Sequence, residues 1–121
     1  MFGPGYVALH KTGELVRRAE VLEARLASCD ICPRVCGVNR LEGNTGFCRS
    51  ASLPIVASYC AHHGEEPPVS GTKGSGTIFF GNCTMRCVYC QNYQISQDPK
   101  KQQSNEISIL KLAKQMLYLQ G

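Results

Sequence analysis

The distribution of cysteine constrains this chain more than any other feature of its sequence. Eight cysteines occur in 121 residues, and seven of them fall into two groups. The later group, Cys83, Cys87 and Cys90, has a C-x3-C-x2-C spacing. A [4Fe-4S] cluster normally takes four thiolates, so three would leave one iron without a protein ligand. Because an open metal position is typical of catalytic sites, this spacing predicts a catalytic cluster.

The earlier group supplies four thiols, which is enough to close a metal site. Its members are Cys29, Cys32, Cys36 and Cys48, flanked by Asn39, Arg40 and Arg49. Zinc and a [4Fe-4S] cluster both accept four thiolates, and the spacing does not separate them. Zinc would hold a loop-rich segment together, whereas a cluster would relay electrons; four free thiols are the third interpretation. We expect a structural or auxiliary metal site here.

Composition argues against several classes of protein. The formal net charge is +4, but Lys and Arg are scattered and do not alternate with aromatic residues, so no nucleic-acid partner is expected. No stretch approaches the ~20 apolar residues of a membrane span, and residues 1–11 lack the apolar centre of a signal peptide. We therefore expect a cytoplasmic protein whose reduced thiols bind metal. A secreted domain held by disulfides is the contrary interpretation.

Local patterns predict the elements that come before the later cysteine group. Residues 1–10 are expected to be irregular, and apolar positions at intervals of three and four predict an amphipathic helix over 13–27, capped by Thr12. A β-prone run predicts a strand within 54–61, where Cys60 is interpreted as a lone buried or half-buried thiol. Residues 62–68 hold two His, two Glu and two Pro, which suits either a polar loop or a substrate contact.

The apolar run 77–80, bounded by Gly76 and Gly81, predicts a strand buried on both faces of a parallel sheet. The later cysteine group would then follow the carboxyl end of this strand, where α/β folds collect their active sites. A last helix is expected to present an apolar face between 109 and 117. Its expected cap is Ser104 or Asn105, and Gly121 is expected to end it.

Several stretches together resemble one family. They are the C-x3-C-x2-C loop with Tyr89 before its last cysteine, the flanking GSGTIFF and Gln91-Asn92, the HGEEPP segment at 63–68, and the CDICPRVCGVNR segment at 29–40. These segments resemble those of radical S-adenosylmethionine (radical SAM) enzymes, in the subgroup similar to pyruvate formate-lyase activating enzyme. The resemblance covers most of the chain from about Gly13 to Leu119.

The resemblance implies a cofactor, a reaction and a set of partners. S-adenosylmethionine would chelate the open iron, with Tyr89 near its adenine, and reductive cleavage would give a 5'-deoxyadenosyl radical for hydrogen abstraction. The implied partners are an electron donor such as flavodoxin or ferredoxin and a glycyl radical enzyme as protein substrate. No catalytic side chain is singled out. A non-enzymatic zinc or iron-sulfur module for binding or electron transfer is the alternative from a different class.

The resemblance also implies the fold class, α/β, as the start of a partial (βα)6 barrel. We expect a lead-in and amphipathic helix over 1–27, a cysteine-rich metal-binding module over 28–50, and the first barrel strand, cluster loop and helix over 51–121. Because a full (βα)8 barrel takes about 250 residues, the chain is expected to be an amino-terminal fragment that is inactive alone.

Overall fold

The computed structural model describes residues 3–120, and its fold is a mixture of α-helix and β-strand, as predicted. The helices are α1 Gly5–Lys11, α2 Glu14–Ala24, α3 Pro67–Ser70, α4 Tyr93–Ser96, α5 Pro99–Gln102 and α6 Ile109–Gln120. The strands are β1 Val56–His62 and β2 Ser75–Phe80, and short 3-10 turns cover Arg25–Ser28, Arg40–Glu42 and Gln103–Asn105. The described residues form no barrel.

The predicted amphipathic helix is present as α2, but the segment before it is not irregular. α1 begins after Pro4, whose extended backbone directs the chain into the first turn. Thr12 does not cap α2: its hydroxyl donates to the carbonyl of Leu9, 3.0 Å away, at the end of α1. Gly13 instead precedes α2 at φ +75°, which glycine adopts without strain. The two helices are therefore joined by a tight turn.

The two strands pair antiparallel, so the prediction of a doubly buried strand in a parallel sheet is wrong for the described residues. Val56 lies opposite Phe80 and His62 opposite Ser75, with a register shift near Val56. The connection over residues 63–74, which includes α3, returns the chain beside β1 in the opposite direction. Phe80 is exposed, and so is Cys60, so the interpretation of Cys60 as a buried or half-buried thiol is also wrong.

The chain is closely packed where β2 ends. Ile55 and Gln102 are 7% and 4% exposed, and both press on Gly81. A Cβ atom at Gly81 would lie 2.6 Å from Cγ2 of Ile55 and 2.7 Å from Oε1 of Gln102, so only glycine fits without a shift. The Gly81 N–H donates to the Ile55 carbonyl at 2.8 Å. The start of the cysteine loop is thus fixed against the core.

α6 begins at a different cap from the predicted ones. The Ser108 hydroxyl accepts the Lys111 N–H at 3.2 Å, which is the N-cap arrangement. Ser104 and Asn105 lie in a 3-10 turn, so that prediction is wrong, and Gly121 lies outside the described residues. The predicted apolar face exists and is largely exposed at Ile109, Leu110, Met116 and Leu117. Within residues 3–120 no helix combines the length and apolarity that crossing a membrane requires.

Candidate metal centre

The later cysteine group lies on a loop that leaves the carboxyl end of β2, as predicted. The Asn82 N–H donates to the Ile95 carbonyl at 2.8 Å, and its side-chain amide donates to Ser50 Oγ at 3.2 Å. These bonds tie the start of the loop to two separate parts of the chain. The Cys83 thiol therefore follows a fixed point.

Backbone N–H groups surround the Cys83 thiol. The Met85 N–H donates to Cys83 Sγ at 3.3 Å, and the backbone turns back on itself through positive φ at Asn82 (+61°) and Arg86 (+55°). Hydrogen bonds from the backbone N–H groups of Arg86, Met85 and Thr84 lower the pKa of Cys83 and outweigh the effect of burial. Thiolate is the form that binds metal, so this loop favours ligation at Cys83.

Cys87 and Cys90 are also half-buried, and both are held in place from α4 and the residue after it. The Cys90 N–H donates to the Cys87 carbonyl at 3.2 Å, and the same carbonyl accepts from Gln97 Nε2 at 2.7 Å. The Cys90 thiol lies 3.3 Å from Ser96 Oγ. Tyr89 stands between them at 91% exposure, so its ring is open to a ligand.

The earlier cysteine group folds as a small hairpin. The Cys29 N–H donates to the Val38 carbonyl at 3.0 Å, and the Gly37 N–H donates to the Cys29 carbonyl at 2.9 Å. The Val35 N–H closes the turn onto the Cys32 carbonyl at 3.0 Å, with Val35 itself at φ +42°. This pairing brings the segment of Cys36 back beside that of Cys29. Cys29, Cys32 and Cys48 line one cavity of about 180 Å³.

Arg40 lies at the centre of the earlier group. It is 5% exposed and lines the same cavity, and its guanidinium donates to the Ser50 carbonyl. Burial raises the pKa of Cys29, but the Arg40 hydrogen bond and charge and the Ile31 N–H more than reverse it, so the net shift is downward. Of the flanking residues named from sequence, Arg40 is buried among the thiols, whereas Arg49 is exposed.

The two cysteine groups are neighbours, which the sequence did not indicate. Arg34 Nε donates to the Thr84 carbonyl at 3.1 Å. The Phe47 ring lies between two guanidinium groups, 3.9 Å from that of Arg34 and 5.8 Å from that of Arg86. These contacts join residues far apart in the chain. No pattern in the sequence predicts that Arg34, Phe47 and Arg86 come together.

The donor set of the later group fits a cluster in its chemistry: it has three half-buried thiols on one loop, and the pKa of one of them, Cys83, is lowered by backbone N–H groups. In residues 3–120, however, no three His, Cys, Asp or Glu side chains are close enough together to form a metal site as they stand. Ligation at either group therefore requires the sulfur atoms to move toward a common centre.

Comparison with known proteins found two similar proteins of Methanocaldococcus jannaschii, both described as uncharacterized. The first is 39% identical over 80 residues, covering 66% of this chain and 22% of the relative. The second is 31% identical over 93 residues, covering 66% of this chain and 27% of the relative. The chain thus spans about a quarter of the length of these relatives. No protein-family model and no solved structure matches.

Proposed function

We propose that this chain carries the cluster-binding part of a radical SAM enzyme, with Cys83, Cys87 and Cys90 as the ligands of a [4Fe-4S] cluster. The observation that carries the proposal is the Cys83 thiol, which accepts backbone N–H groups on a loop that also holds the other two thiols. A thiol that accepts backbone N–H groups suits an iron-sulfur ligand better than a thiol in apolar surroundings.

The residues of the chain would bind and orient, while the bound cofactors supply a 5'-deoxyadenosyl radical. The Gln97 amide holds the Cys87 carbonyl and Ser96 contacts the Cys90 thiol, so these two residues would fix the direction of both ligands. Tyr89 precedes Cys90 in the chain, and its exposed ring offers an aromatic face for the adenine of S-adenosylmethionine.

The proposal extends to the rest of the enzyme. β2, the cysteine loop and α6 would be the first strand, cluster loop and first helix of a partial (βα)6 barrel, with further chain covering the exposed apolar face of α6. The reductant would be a protein such as flavodoxin or ferredoxin in the cytoplasm. The substrate would be a glycyl radical enzyme that loses a hydrogen atom from a glycine.

Anaerobic iron-sulfur reconstitution followed by EPR spectroscopy tests the cluster. We expect the reduced chain to show a [4Fe-4S] signal that S-adenosylmethionine perturbs. The triple substitution C83A/C87A/C90A should abolish that signal, whereas C60A, which removes a thiol outside both groups, should retain it. A signal that survives the triple substitution and ignores S-adenosylmethionine would contradict the proposal.

A further inference from the structure

We infer that Cys29, Cys32, Cys36 and Cys48 bind one divalent metal ion of the zinc class, and that Arg40 is the buried cation that positions their thiolates. The inference does not depend on the proposed radical SAM activity, because it concerns the other cysteine group and a different metal.

The charge of Arg40 carries the argument. Arg40 is only 5% exposed, and a buried charge needs an anionic partner, since an unpaired charge away from water is strongly unfavourable. In residues 3–120 no carboxylate forms an ion pair with Arg40. The groups around it are thiols: Cys29, Cys32 and Cys48 line the same cavity, and the Cys36 sulfur and an Arg40 nitrogen both lie within 3.2 Å of the Cβ position at Gly46. Arg40 is therefore built to face thiolates.

Four thiolates and one divalent ion would carry a net charge of −2 in a partly buried site, and the guanidinium would halve it. Hydrogen bonds from outside the ligand set also orient the ligands of metal sites and strengthen binding. Because Arg40 stays charged at every accessible pH, it supplies such donors permanently. The guanidinium also donates to the Ser50 carbonyl, which holds it in the cavity that the cysteines line.

Arg40 lines the same cavity as Cys29, Cys32 and Cys48, and the free volume of that cavity is about 180 Å³. The fourth thiol lies near Arg40 as well: a Cβ at Gly46 would lie 2.7 Å from the Cys36 sulfur and 3.2 Å from an Arg40 nitrogen. Four sulfur atoms that move in around one ion would form the closed tetrahedral site typical of structural zinc.

The position of the site means that a bound ion would also stabilise the later cysteine loop. Cys48 follows Phe47, the ring held between Arg34 and Arg86, and Cys48 and Cys83 line one gap with no room for water. An ion that fixes Cys48 would therefore also fix Phe47 against the later cysteine loop. Loss of the ion should loosen that loop without removing any of its ligands.

Cobalt substitution tests the ligand set in the full 121-residue chain. In the C83A/C87A/C90A background we expect one Co2+ per chain, with the intense ligand-field and thiolate charge-transfer absorption of tetrahedral four-sulfur coordination. Zinc should displace the cobalt stoichiometrically. The same background offered iron and sulfide should form no cluster. Absent cobalt absorption, or a [4Fe-4S] cluster at this group, would overturn the inference.

The role of Arg40 is tested by chelator competition with R40M and R40K in the same background. We expect R40M to lower zinc affinity about 10- to 100-fold, the range for lost outer hydrogen bonds, and R40K to recover part of it by restoring the charge. The four-sulfur cobalt spectrum should stay unchanged in both, which separates positioning from misfolding. Equal affinity in all three proteins would refute the role.

A second measurement keeps the test independent of the triple substitution. If that variant fails to fold by circular dichroism, 113Cd NMR of the unmodified chain decides the question. We expect a resonance in the range of four-sulfur cadmium, and C36S should move it to the three-sulfur range while C60S leaves it in place. A four-sulfur resonance that ignores C36S, or its absence from the unmodified chain, would overturn the inference.

Discussion

Adding one methyl group at the start of the later cysteine loop should destabilise the protein measurably. In G81A the new Cβ would stand 2.6 Å from Ile55 and 2.7 Å from Gln102, about 1 Å closer than ordinary contact at 3.5–4.0 Å. Both neighbours are almost fully buried, so neither can move freely away. Overpacking of this kind costs about 1–3 kcal/mol, which is roughly a 5- to 150-fold rise in the unfolded-to-folded ratio.

Urea unfolding followed by circular dichroism measures this cost as a lower midpoint at unchanged slope. G5A is the matched control, because a Cβ at Gly5 meets nothing within 4 Å and the residue lies in α1, where alanine is favourable. G5A should leave the midpoint unchanged or raise it. If G81A unfolds at the same urea concentration as the parent, the contact between Gly81, Ile55 and Gln102 is not as close as described.

Three further perturbations test other parts of the structure. F47L keeps most of the apolar volume but removes the aromatic ring that contacts two guanidinium groups, so it should lower the free energy of unfolding in urea by about 0.5–1 kcal/mol. If F47L costs the same amount in a protein that also carries R34M, the stacking of Arg34 on Phe47 is refuted. S108A should lower the free energy of unfolding by about 1 kcal/mol because α6 loses its cap, and S104A should lower it by less. A larger effect for S104A than for S108A would support the cap predicted from sequence. Hydrogen bonds from Arg17 and then Arg18 lower the pKa of Glu14 to about 2. The stability that the Glu14 carboxylate contributes is therefore present above about pH 4.5 and is lost as the pH falls toward 2. An NMR titration of Glu14 with a midpoint near pH 4.5 would contradict this.

The helices and strands were predictable where a local pattern decides them. The intervals of three and four that predict α2 depend only on neighbouring residues, and so does the apolar run that became β2. The caps were less predictable, because Ser104, Asn105 and Ser108 are all acceptable cap residues and the path of the chain after α5 selects one. The predicted direction of strand pairing was wrong for the same reason, since it too depends on the path of the chain between the elements. A run of apolar residues does not reveal which strand will lie beside it.

The candidate site divides in the same way. Spacing along the chain identified the two cysteine groups, and those groups remain the best candidates for metal ligands. Arg40 was visible only as a flanking cation, and its burial among the thiols depends on the hairpin that joins Cys29 to Val38. The contact of Phe47 with Arg34 and Arg86 had no local signal at all.

The sequence by itself determined how the thiols are spaced within each cysteine group, because spacing within a short loop is a local property that does not depend on how the rest of the chain folds. Only the tertiary structure decided that the two groups adjoin, that β1 and β2 run antiparallel, and that a buried guanidinium faces the earlier thiols. These features arise from contacts between residues distant in the chain. Burial and charge pairing depend on how the whole chain folds, so a single stretch of sequence does not reveal them.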